Sequence, residues 1–254
     1  MLSEQGTLIV NHLDYKPANH AGGIIGVGSQ LLRTASFDAS EISNAVGLFA
    51  LQRNIRGDGV VALDCGANIG VHTVSWARSM TGWGSILAFE AQQRIFYALA
   101  GNICIQNCFN AEAYHVALGA YDGSIDIPNL DYSQPASFGS LEIRKKANTE
   151  DIGQPIDYEG ARLQPVKMIR IDSLNLPRVD FMKIDVEGME NDVISGSLET
   201  ISRSKPIMLI EWIKSDVDLM KKTLRDLGCN FHKIGGNLLA IPENDPAENQ
   251  IRVS

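Results

Sequence analysis

The chain has 254 residues, 44% hydrophobic and 20% charged, which suits one large domain with a substantial core and excludes bulk disorder. A formal net charge of −8 argues against a nucleic-acid partner, because phosphates are met by basic surfaces. The opening "MLSEQGTLIVNHLDYKP" lacks a basic stretch followed by an apolar one, and no apolar run reaches the ~18 residues of a membrane span, so a cytoplasmic protein is expected.

Residues 1–58 read as an N-terminal extension packed on a main domain of 59–254. Within it, "AGGIIGVGSQ" (21–30) has Gly26 and Gly28 at G-x-G spacing, with no third glycine and no strong strand before it. It reads as a flexible turn, not a phosphate loop. "SEISNAVGLFALQRNI" (40–55) predicts a helix with Ser40 as N-cap and Ile42, Val46 and Phe49 on one side.

From residue 60 strands and helices alternate. "VVALD" (60–64) and "SILAFE" (85–90) are continuous apolar runs, as buried parallel strands require, and the helix between them carries Val74, Trp76, Ala77 and Met80. A helix over 92–107 and a strand over 111–119 follow. Residues 119–165 break the pattern with turn formers and predict a lid insertion, with 133–140 nearest the acceptor and Phe138 exposed. Then come a strand over 179–185, a helix near 189–202, a strand over 205–212 and an amphipathic helix over 216–228 ending in a glycine cap. "CNFHKI" and "NLLAIP" predict a closing hairpin around Gly235 and Gly236, which makes one strand antiparallel. The whole predicts a doubly wound α/β sheet. Cys65, Cys104, Cys108 and Cys229 form no C-x-x-C pair and no zinc framework. They read as small thiols in a reducing compartment, Cys104 and Cys108 being spaced to share a helix face.

The stretch "VVALDCGANIGVHT" (60–73) is the layout that sets a nucleotide at a strand end. A dinucleotide loop wants G-x-G-x-x-G, whereas here Asn68 stands where the middle glycine would be, between Gly66 and Gly70. Asp64, just before the loop, would repel a pyrophosphate and attract an ammonium. S-adenosylmethionine (SAM) carries an ammonium and no phosphate, so the sign of the charge favours it. Glu90 ends the second strand about 20 residues on, where an acid accepts hydrogen bonds from ribose hydroxyls in NAD and SAM sites alike. Asp185, Glu187 and Glu190 follow the apolar run of "FMKIDVEGMEN" (181–191), and Glu211 ends "IMLIE". Strand-end placement predicts Asp64, Glu90, Asp185, Glu187 and Glu211 on one rim, with Lys183 offsetting part of the charge. The plainer reading of Glu187 and Glu190 is that they complement a helix dipole.

"LDCGANIGVHT", "ILAFEA", "KIDVEGME" and "PIMLIEW", in this order, resemble the FkbM family of SAM-dependent methyltransferases over roughly residues 60–212, "KIDVEG-x-E" being the most specific part. The resemblance implies a Rossmann-like class I methyltransferase fold with a seven-stranded, mostly parallel sheet. It also implies O-methylation of a hydroxyl on a sugar, glycan or secondary metabolite. It assigns Asp64, Gly66, Asn68 and Gly70 to the SAM loop and Glu90 to the ribose, with Ala67, Ala91, Ala117 and Asp185 completing the cofactor set. Cys65 and Ala91 depart from the family's usual aliphatic and proline at those positions. The acceptor, a small molecule or glycan, would be selected by residues 1–58 and 119–165.

Methyl transfer to an alcohol needs a proton acceptor, and Asp185, then Glu187, is the expected base. His72 is a rival, since a helix N-terminus keeps its imidazole neutral, although it could simply cover the cofactor. His115 reads as a hydrogen-bonded core residue, and His12, His20 and His232 suggest no role. Asp185, Glu187 and Glu211 are hard donors that could hold Mg²⁺ or Ca²⁺, but the reading requires no metal. Two alternatives stay open: a nicotinamide-dependent oxidoreductase, which fits Glu90 but not the glycine spacing or Asp64, and a catalytically silent SAM-fold partner subunit.

Overall fold

Residues 1–58 contain two short antiparallel pairs, β1 (Leu2–Ser3) with β2 (Gly6–Thr7) and β3 (Lys16–Pro17) with β4 (Ile24–Ile25), then helices α1 (Val27–Thr34) and α2 (Ala39–Arg56). The structure, a computed structural model, describes residues 1–17, 23–160 and 163–248, so His20 and the first two residues of "AGGIIGVGSQ" lie outside the described residues. The rest of that stretch is not a flexible turn: it supplies β4 and opens α1. Gly26 at its centre has φ +139, and a Cβ there would stand 2.4 Å from the Asp14 carbonyl oxygen. Nor does Ser40 cap α2. The cap falls two residues earlier, at Asp38, which is in the left-handed region (φ 44) and makes no capping bond from its side chain.

The alternation then runs β5 (Val60–Cys65), α3 (Val71–Ser79), β6 (Gly84–Glu90), α4 (Gln93–Ile105) and β7 (Ala111–His115). The predicted third strand does not continue to residue 119. It breaks at Val116, and β8 (Ala117–Leu118) leaves the main sheet to pair in parallel with β10 (Leu163–Ile169). β10 also pairs antiparallel with β9 (Gly123–Pro128), so the 119–165 segment contains strands that its turn formers concealed. β11 (Phe181–Ile184) returns to the main sheet, followed by α5 (Glu190–Ser195), α6 (Leu198–Ser204), β12 (Ile207–Glu211), α7 (Val217–Asp226), β13 (Cys229–Ile234) and β14 (Asn237–Pro242). The single helix expected near 189–202 is two. Its break falls at Gly196, where a Cβ would meet the Gly119 carbonyl oxygen at 2.0 Å.

The seven-stranded order is β13-β14-β12-β11-β5-β6-β7, parallel except for β14, which runs against both β12 and β13. This is the mostly parallel sheet with a C-terminal antiparallel hairpin that the sequence predicts. Period-two burial explains the continuous apolar runs. Val60, Ala62, Phe181, Ile207 and Leu209 face one core, shared with Leu31 and Phe49 of residues 1–58. Leu63, Cys65, Met182, Ile184, Met208 and Ile210 face the other. Phe49, Trp76 and Phe181 meet edge to face at 5.2–5.6 Å and fasten α2 and α3 to the sheet.

Among the described residues no helix is long and apolar enough to cross a membrane. The four cysteines are free, and only Cys104 is exposed. Cys108 lies beyond the end of α4, so the two do not share a helix face. Because β5, β6, β11 and β12 pair in parallel, their carboxyl ends open onto one rim.

Candidate active site

The loop leaving β5 is fixed by contact with the end of β11. Gly66 (φ +82) lies so close that a Cβ would stand 1.8 Å from the Asp185 carbonyl oxygen, so only glycine fits. Asn68 takes the left-handed conformation (φ 51), and its N–H donates to Glu90 Oε2 at 3.0 Å. The Gln92 N–H donates to the other oxygen at 2.8 Å. Burial pushes Glu90 up to about 7, even though these amides favour its charged form. Gly66, Ala67, Asn68, Glu90, Ala91 and Ala117 all line one cavity of about 430 Å³ at the rim.

Two residues of the expected SAM set do not line it. Gly70 caps α3, and a Cβ there would strike Leu99 Cδ1 at 2.6 Å, so this glycine serves packing against α4. Asp64 lies inside β5, one residue short of the loop, and is 1% exposed. Its Oδ2 accepts from Thr73 Oγ1 at 2.5 Å, and its buried Oδ1 has no partner. Asp64 is thus set back from the cavity lining, beside Lys183, its register partner on β11.

Four of the five predicted rim acids, Glu90, Asp185, Glu187 and Glu211, do face the cavity. Lys183 Nζ donates to Asp185 Oδ2 at 2.7 Å. Burial opposes the charge on Lys183, but the carboxylates of Asp185, Asp64 and Glu41 outweigh it and hold the ammonium protonated. Glu187, left-handed at φ 55, accepts from Lys214. Burial, with Asp185 and Glu211 nearby, raises its proton affinity well above that of an ordinary glutamate, and Lys214 offsets only part. Burial and the charges of Asp185 and Glu190 push Glu211 up to about 7. Glu190 itself is structural: fully buried, it accepts from the N–H groups of Val186 and Gly188 and so shapes the turn that carries Asp185 and Glu187.

His72 lines the cavity, but its Nε2 faces the extension, 3.1 Å from Glu41 Oε1. His115 is half-buried, stacked on Phe96 and bonded to the Ala91 carbonyl at 3.1 Å. The metal-competent group among the described residues is not Asp185, Glu187 and Glu211, but Asp38, Glu41 and His72.

The outer wall comes from segments the motifs did not reach. Gly26, Val27, Phe37 and Asp38 line it from the extension, and Ser137, Gly139, Ser140 and Leu141 from the 119–165 segment. Phe138, expected to be exposed, is fully buried against Tyr132, with ring centroids 4.8 Å apart. Gln92 joins this segment to the end of β6: its Nε2 donates to the Phe138 carbonyl and its Oε1 accepts from Tyr132 Oη, both at 2.9 Å. Asp14 accepts from the N–H groups of Gly28 and Phe138. Gln92, Asp14, Lys214, Asp38 and Glu41 escaped the sequence reading, since their partners lie far along the chain.

Residues 64–231, about two-thirds of the chain, match the Methyltransferase FkbM domain. The chain is 29% identical over 147 residues to "Methyltransferase 1" of Beauveria bassiana (strain ARSEF 2860), an alignment covering 53% of this chain and 57% of that protein. The crystal structure of Methyltransferase FkbM from Methylobacillus flagellatus KT superposes with a TM-score of 0.50 at 15% identity, covering 72% of this chain and 44% of the other, a likeness of fold. The chain thus spans 57% of the length of the first of these relatives and 44% of the second. A glycine-bearing loop after β5, a strand-end acid on β6, the acid pair after β11 and the matched span together make this chain a member of the FkbM methyltransferase domain family.

Proposed function

We propose that the chain is a SAM-dependent methyltransferase acting on a hydroxyl oxygen of a sugar, glycan or secondary metabolite. One observation carries the reading: the loop at Gly66–Asn68 and Glu90 face Asp185, Glu187 and Glu211 across one cavity. Its volume of about 430 Å³ falls within the range of small-ligand sites, ~300–1,000 Å³. The residues present fit the cofactor. Glu90 accepts from the main-chain amides of Asn68 and Gln92, one on each oxygen, with Ala91 adding a third, and keeps lone-pair capacity for a ribose hydroxyl. Ala67, Ala91 and Ala117 give close, apolar approach.

When bound, SAM supplies a methyl group on a sulfonium. Asp185 and Glu187 face the space an acceptor would occupy. Glu187, whose proton affinity burial raises above that of an ordinary glutamate, is the proposed base, taking the proton that the hydroxyl gives up, while the Asp185–Lys183 pair fixes the turn and the local charge. Residues 1–58 and the 119–165 segment together form the acceptor wall and serve as its lid. The four free thiols suit the cytoplasm.

Isothermal titration with SAM and with NADH tests the cofactor, and tight NADH binding without SAM binding refutes the reading. A methyl-transfer assay over a panel of hydroxyl compounds then tests the acceptor class.

A further inference from the structure

A second titratable cluster stands on the cavity wall, away from the strand-end acids. Asp38 at the start of α2, Glu41 one turn on, and His72 in the first turn of α3 each direct one donor atom inward, all within 4.8 Å of one another. Asp38 and His72 line the cavity.

Several features separate this cluster from an ordinary ion pair. Asp38 holds the N-cap position, yet its carboxylate makes no bond to its own helix. The His72 side chain is 8% exposed, and its buried Nε2 lies 3.1 Å from Glu41 Oε1. Asn237 Nδ2 donates to Glu41 Oε2 at 2.7 Å and so leaves Oε1 toward the histidine. The rings of Phe37 and Trp76 meet the imidazole edge-on at 6.2 and 5.3 Å and fix its plane. Oriented donors held by outer partners are what a metal site requires.

We propose that Asp38, Glu41 and His72 form a site for a first-row divalent cation of the Mn²⁺ or Zn²⁺ type. Two carboxylates and one imidazole are the donors such ions accept. Donors at roughly 2.0–2.2 Å from an ion in tetrahedral geometry stand about 3.4 Å apart. The triad therefore closes on a cation by a shift of about 1–1.5 Å in its widest pair. The charge balance agrees. Lys183 opposes a cation, but the carboxylates of Asp38, Glu41, Asp185 and Asp64 surround it, which leaves the neighbourhood negative. Three protein donors leave coordination positions open toward the cavity. A hydroxyl or carboxylate oxygen of the acceptor would fill one of them. That last role rests on the methyltransferase reading; the cation site does not.

The test uses the full chain, stripped with chelator and dialysed to equilibrium with Mn²⁺ and, separately, Zn²⁺. Bound ion is measured by elemental analysis, and Mn²⁺ also by electron paramagnetic resonance. We expect about one ion per chain. Binding weakens at least tenfold, on the order of the effect of losing one metal partner, in Asp38→Asn, Glu41→Gln and His72→Ala, each with an unchanged circular dichroism spectrum. Glu187→Gln binds as wild type. If His72→Ala does not fold, Asp38→Asn at the half-buried cap carries the test. Substoichiometric binding of both ions by wild type overturns the proposal. So does an equal loss in Glu187→Gln, which would assign the ion to the strand-end acids. No readout involves methyl transfer, so failure here is distinct from failure of the proposed function.

Discussion

The two walls of the cavity hold their acids in different ways. On the β5–β6 side, Glu90 is gripped by two main-chain amides, from Asn68 and Gln92. On the β11–β12 side, Asp185 and Glu187 are each met by a lysine, Lys183 and Lys214. A main-chain amide is fixed by the fold and offers geometry. A lysine is a compact charge on a flexible stem and offers compensation when its partner's charge changes. The first arrangement suits holding a ligand group still, and the second suits moving a proton.

If that division is right, the largest effect lies on the lysine side. Glu187→Gln keeps shape and removes the proton acceptor, so kcat should fall by about 10²–10⁴-fold with the dissociation constant of SAM nearly unchanged. Asp185→Asn should cost less in kcat. Single-turnover rates at saturating SAM measure both, and a larger loss in Asp185→Asn would make Asp185 the base.

A smaller effect is expected on the amide side, in binding. Hydrogen bonds to a charged group contribute ~1.5–3 kcal/mol each, so Glu90→Ala should weaken SAM at least ~tenfold and leave saturated turnover nearly intact. The pH dependence sharpens this. Glu90 titrates at about 7, above its ordinary 4.5, so the folded state binds this proton more tightly than the unfolded chain does. The stabilisation from Glu90 is therefore complete below 4.5 and disappears as pH rises through 7. Glu211, also at about 7, acts in the same direction. Ligand-free protein should lose melting temperature between those limits, less so in Glu90→Gln. SAM affinity, which needs the ionised carboxylate, should rise over the same interval. Titration calorimetry across that range showing flat affinity would remove Glu90 from the ribose.

The smallest effect tests whether the 119–165 segment is braced. Tyr132→Phe removes the hydroxyl that donates to Gln92, a hydrogen bond of ~0.5–1.5 kcal/mol, and should lower the melting temperature by a few degrees. An unchanged melting temperature would leave that wall independent of the end of β6.

The parallel sheet was legible because strands buried on both faces must be apolar throughout, as Phe181–Ile184 and Ile207–Glu211 are. Strand ends then fixed where Glu90, Asp185, Glu187 and Glu211 would meet. Asp64 differs from them in placement: it lies one residue inside the strand, within the sheet and not at its end. Phe138 was misjudged because turn formers around an aromatic suggest exposure, whereas burial here depends on Tyr132, which lies in the same turn-rich stretch. Asp38 and Glu41 gave no local signal, since the features that single them out come from His72 and Asn237.

Asp14 carries a consequence for anyone re-engineering the proposed acceptor wall. One carboxylate fastens the entry of α1 through Gly28 and the turn at 137–140 through Phe138, and the Asp14 backbone oxygen also fills the space left by Gly26. Half of that wall lies before the matched family span and half within it. A graft of the 119–165 segment alone would separate a buried acid from a donor chosen for it. The transferable unit is a pair of segments more than 100 residues apart, and libraries intended to change acceptor choice need to vary the two together.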